Sequence, residues 1–91
     1  MIDKNYIAIS SLSMDLKRVA LGYYNGSFAT AQRFSQEALK RSTEVDKSGV
    51  KPYIKKLIHA LPGLLKEKDK MGIAENALMY STILQNYIRV K

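Results

Sequence analysis

Cysteine is absent from the 91 residues, so no disulfide braces the fold and no thiolate is available for catalysis or metal binding. Small secreted domains usually need such braces, and their absence points to a cytoplasmic setting. Histidine is almost as scarce, with His59 the only one. One histidine without cysteine leaves no ligand set for zinc within a single chain. A di-iron site in a helical bundle needs inward Glu-x-x-His pairs, and Lys56 stands three residues before His59. There is no strand, glycine loop and helix unit to cradle a nucleotide phosphate. Serines are frequent (Ser10, Ser11, Ser13, Ser35, Ser42) but carry no base beside them. The expectation is a protein that is not an enzyme and holds neither cofactor nor metal.

Long apolar runs are also missing. None reaches the roughly 20 residues that span a bilayer, and MIDKNYIAISSL lacks the basic and apolar regions of a secretory signal. Acidic residues are outnumbered, eight against fifteen Lys and Arg, for a net charge of +7. That excess favours anionic partners, whether nucleic acid, a membrane surface or an acidic protein, without choosing among them.

What is present is helical periodicity from end to end. The length fits one domain, residues 1–91, with a thin core. Ile9, Leu12, Leu16, Val19, Ala20 and Tyr23 recur at three and four residues, predicting a helix over about 4–24. Asn25 and Gly26 end it, and Ser27 is placed to cap the next helix through its hydroxyl. A second helix over about 28–46 turns Phe28, Ala31, Phe34, Ser35, Ala38, Ser42 and Val45 inward. Its outer charges alternate, with Arg33–Glu37 and Glu37–Arg41 spaced to pair. After the linker Asp46–Gly49, a third helix is predicted over about 50–67, with Pro52 in its first turn. Pro62 falls opposite the apolar stripe of Val50, Tyr53, Ile54, Leu57, Ile58, Leu61, Leu64 and Leu65, which runs straight across it, so the helix is expected to bend there without breaking. A fourth helix covers about 71–90, with Asp69 or a residue nearer Gly72 as its cap. Short connections make neighbours antiparallel, which gives an all-α, up-and-down four-helix bundle.

Two surfaces stand out. On the third helix Lys51, Lys55, Lys56, His59 and Lys66 share the polar side, and no acid occurs from Val50 to Lys66. Like charges four apart cost a helix a few tenths of a kcal/mol, so this face is a candidate anion-binding surface. A solvated face that only keeps the helix soluble is the competing reading. The fourth helix carries two apolar faces where a bundle needs one. Ile73, Ala74, Ala77, Leu78, Leu84 and Ile88 form the first, and Met79, Tyr80, Ile83, Tyr87 and Val90 the second. Only Glu75, Thr82, Asn86 and Arg89 define a wet strip. Tyrosine and methionine suit an interface, and small domains often complete thin cores by association. The second face is therefore expected to meet another molecule, most simply a second copy; deeper seating among the other helices is the alternative.

The stretch NGSFATAQRFSQEALKR, with Gly26, Phe28, Ala31, Ala38 and Leu39, resembles the turn and second helix of a tetratricopeptide repeat. It is similar also to the corresponding hairpin of small HEPN-type helical proteins. A tetratricopeptide array implies a like unit about 34 residues later, where this chain has Ala60-Leu61-Pro62-Gly63. The HEPN ribonucleases imply an arginine four to six residues before the histidine, and Tyr53, Ile54 and Lys55 occupy those places. Neither resemblance brings a function. The expected function is a non-enzymatic interaction module, homodimerising through the C-terminal helix; the alternative is nucleic-acid binding by the lysine face.

Overall fold

The helical periods and the breaks between them appear directly in a computed structural model of the chain, which describes residues 4–89. Four helices follow one another, α1 (Lys4–Tyr24), α2 (Phe28–Ser42), α3 (Pro52–Leu65) and α4 (Lys70–Arg89), with a 3-10 turn at Lys47–Gly49. They form an all-α, four-helix bundle in which α1 lies between α2 and α4, and α3 closes the far side. Cross-contacts at opposite ends make sequence neighbours antiparallel: Gly22 meets Ala31, while Asn5 meets Asp46.

Helix spacing follows side-chain size. Along α1 the contacts with α2 and α4 are made by small groups, among them Ala8, Ser13, Gly22, Ala31, Ala38, Ala74, Ala77 and Ser81, all buried. A β-carbon built on Gly22 would stand 2.9 Å from the Ala31 nitrogen and 3.0 Å from its Cα, so the two backbones are nearly touching. Ser13 and Ser81 lock α1 to α4, each hydroxyl donating to the other residue's carbonyl, at 2.9 and 2.8 Å. By contrast α3 presents Ile54, Leu57, Ile58, Leu61 and Leu64 inward. Its aliphatic bulk keeps it farther from its neighbours while filling the core with Leu12, Leu16 and Leu84.

Helix ends depart from expectation where local hydrogen bonds compete. Gly26 adopts φ +74°, the left-handed conformation that ends α1. Ser27 occupies the cap position of α2, but its hydroxyl makes no capping bond. Phe28 is half exposed, leaning on Tyr23 at 5.7 Å between ring centres, with the Lys70 ammonium 5.3 Å from its centre. Helix α2 stops at Ser42, short of residue 46. The Ser42 and Thr43 hydroxyls each donate to a last-turn carbonyl at 2.7 Å, and the backbone tightens to i→i−3 bonds.

The linker is then held from outside: buried Asn5 donates to the Asp46 carbonyl at 3.0 Å and accepts from its N–H at 2.8 Å. Pro52 sits in the first turn of α3, and the helix runs unbroken through an exposed Pro62 to Leu65. Asp69 caps α4, accepting from the Met71 N–H at 3.1 Å.

Candidate functional site: the surfaces of the bundle

Among the described residues no group of acids and histidine could hold a metal ion, and no helix is long and apolar enough to cross a membrane. The chemistry on offer is that of surfaces.

The second face of α4 is divided by α3. Tyr87 is only 3% exposed, enclosed by its own chain with the Tyr53 ring meeting it edge-on at 5.9 Å. Its expected role as an exposed contact is corrected by the way α3 begins beside the end of α4. Tyr80 and Ile83 are half-buried against the core, and Met79 stands 50% exposed. Val90 lies outside the described residues. What remains open is a shallow groove of about 340 Å³ between α3 and α4, lined by Tyr53, Lys56, Leu57, Ala60, Tyr80 and Ile83. Helical spacing predicts Tyr53 on α3's inward stripe; it is half exposed because the edge-on contact with Tyr87 holds it at the groove's rim.

The wet strip of α4 is as expected: Glu75, Thr82, Asn86 and Arg89 are all exposed. Leu78, assigned to the inward face, is exposed too, because it lies on the solvent side of the Ser81 contact with α1.

The lysine face is a face. Lys51, Lys55, Lys56, His59 and Lys66 are all exposed along α3 and its end. None takes part in the ion pairs among the described residues, which join Asp15 to Arg18, Asp15 to Arg41 and Arg41 to Glu44. Half-exposed Tyr53 lies between Lys51 and Lys55 and lines one hollow with Lys56, so an aromatic ring borders the lysines.

Those ion pairs form a cluster with no counterpart in the expectations. The Asp15 side chain is 7% exposed, with its Oδ2 3.8 Å from Arg41 Nε and its Oδ1 3.8 Å from Arg18 Nη1. Neither Oδ2 nor Arg41 Nε makes a hydrogen bond. Burial pushes the Asp15 carboxyl above the usual range, against the pull of Arg41 and Arg18, with Glu37 adding to the rise. Arg41 therefore pairs with Asp15 and Glu44, not with Glu37, and Arg33 lies over the Phe34 ring at 5.6 Å. A signal existed: Asp15 falls seven residues after Ala8 and seven before Gly22, on the flank that meets α2.

The remaining exposed apolar residues concentrate on α1, which carries Tyr6, Ile7, Met14, Leu21 and Tyr24 at its surface. The excess expected of α4 thus belongs in large part to the first helix. No family model matches the chain, and the searches of curated proteins and of solved structures find no match either.

Proposed function

We propose that the chain is a non-enzymatic, cytoplasmic interaction module that pairs with a second copy across the groove between α3 and α4. The observation that carries this is the groove itself. Tyr53, Lys56, Leu57, Ala60, Tyr80 and Ile83 line it, and half-exposed Met79 stands one residue from Tyr80 on the same helix. A projecting methionine beside an aromatic-lined hollow is a patch that can meet its own copy about a two-fold axis. Charge supports the same occupant. The exposed residues of α4 around Met79 are Glu75, Asn76, Thr82 and Asn86; Lys56 of α3 lines the groove, and Glu75 is the acid a second copy could set against it.

Light scattering on the purified chain at tens of micromolar tests the proposal. A dimer is expected for the parent chain and a monomer for Ile83→Asp, with unchanged helical circular dichroism in both. A monomeric parent, or a dimer indifferent to Ile83→Asp, defeats it.

One observation favours a second reading, nucleic-acid binding: five exposed basic or imidazole side chains along α3 engage no acid among the described residues. Binding of this kind weakens steeply with salt through counterion release. It should be lost in Lys55→Glu combined with Lys56→Glu; absence of any DNA or RNA binding at low salt eliminates it.

A further inference from the structure

In an amphipathic helix the line farthest from the core should be the most polar. Helix α1 reverses this. Ile9, Leu12, Leu16 and Val19 fill its inner side, and Ile7, Met14 and Leu21 stand on the opposite line, 53%, 51% and 47% exposed. Their spacing is seven residues, so they form one row, about 21 Å long at the helical rise. A second row runs alongside on α4, where Met71, Leu78 and Gln85 repeat at the same spacing and all are exposed. Between the rows lies a groove of about 400 Å³, lined by Met14, Lys17, Arg18, Leu21, Ser81 and Gln85. It is shallow and straight because the reciprocal Ser13–Ser81 hydrogen bonds hold the two helices close at its floor.

The charge lining it has one sign. No acidic residue lines the groove. The exposed charges of α1 are Lys4, Lys17 and Arg18, while its one described acid, Asp15, is turned inward onto Arg41 and also pairs with Arg18 at 3.8 Å. A second copy laid here would set Lys17 and Arg18 of one chain against those of the other, while Glu75 stands exposed three residues before Leu78 on α4.

We infer that the α1–α4 groove is a docking site for an amphipathic helix from an acidic partner protein. Apolar side chains on that helix, at heptad-related spacing, seat between the two rows, and carboxylates on its flanks meet Lys17 and Arg18. Two rows seven residues apart match a helix of three to four turns, and the cations select its sign and speed its approach. This face is separate from the α3–α4 groove, so the inference stands whether or not the chain dimerises there.

Two synthetic three-heptad peptides serve as probes, both with leucine at a and d, one with glutamate and the other with lysine at e and g. Each is titrated into the full chain carrying labelled methyl groups. The glutamate peptide should shift the Ile7, Met14, Leu21 and Leu78 methyl signals and bind at least about tenfold more tightly than the lysine peptide. Met14→Asp should abolish that binding and Lys17→Glu should weaken it, while Ile83→Asp leaves it unchanged; Met14 and Lys17 are exposed, and circular dichroism checks that all three variants are folded. Equal binding of the two peptides, no shifts on α1, or shifts confined to the α3–α4 groove overturns the inference. So does a dimer that Met14→Asp dissociates and Ile83→Asp does not, since the occupant is then a second copy.

Discussion

Gly22→Ala should destabilise the chain even though alanine is the better helix former. In an unobstructed helix the exchange gains about 1 kcal/mol. Here the new methyl would meet the Ala31 nitrogen at 2.9 Å and the Ala31 Cα and Cβ at 3.0 Å. Backbone atoms cannot swing aside as a side chain can, so α1 and α2 must separate close to the tight turn that joins them. Overpacking of a well-filled core costs about 1–3 kcal/mol; contact with backbone places this case in the upper part of that range. Set against the propensity gain, the net loss is about 1–2 kcal/mol, a fall in Tm of roughly 5–15 °C for a domain this small.

Thermal and urea denaturation followed by helical circular dichroism reads the effect. Gly63→Ala is the control, since nothing lies within 4 Å of the added carbon and α3 should gain about 0.5–1 kcal/mol from it. Adding Ala31→Gly should not restore stability, because it removes only the Cβ contact, leaves those with the nitrogen and Cα, and itself costs about 1 kcal/mol of helix propensity. If Gly22→Ala raises Tm as Gly63→Ala does, the close approach of α1 and α2 is wrong.

The Ser13–Ser81 lock can be measured by a double-mutant cycle: either serine changed to alanine should cost about 1 kcal/mol, and both together less than the sum, so strict additivity would mean the hydroxyls act independently. Two aspartates should give urea stability opposite pH trends. Asp15 titrates higher in the folded chain than in the unfolded one because of burial, so its contribution falls as pH rises from about 4 through the folded value. Asp15→Asn should flatten that decline without loss at pH 7, since Arg41 keeps Glu44 and reaches water. Asp46 titrates lower in the folded chain because the Ser48 hydroxyl and N–H bond to its carboxylate. Its contribution is present above about pH 4 and lost as pH falls through the folded value, and Asp46→Asn should remove that acid-side loss.

Four helices, their order and most of their ends were legible in the residues, because helical period and turn chemistry are local properties of the chain. Gly26, Pro52 and Asp69 do what their side chains or backbones favour within a few residues. Helix α2 was read too long because Ser42 and Thr43 divert their hydroxyls to the last-turn carbonyls, a competition that apolar spacing does not record. The Asp15–Arg41 pair and the clasp of Asn5 on Asp46 join residues far apart in sequence, and only the packed arrangement brings them together.

The surfaces divide in the same way. Periodicity alone established that α4 has more apolar area than one stripe, and that the lysines of α3 share a side. It did not decide what is covered. Tyr87 and Met79 belong to one predicted face, yet α3 encloses the first and leaves the second in solvent, because the smaller neighbours of α1 draw α2 and α4 close while the leucines and isoleucines of α3 hold it away. Likewise Ile7, Met14 and Leu21 recur every seven residues in plain view, but only the placing of α2, α3 and α4 around the opposite side of α1 left that row uncovered. Which residues can line one side of a helix is set by the sequence; which side meets water is set by where the other helices come to rest.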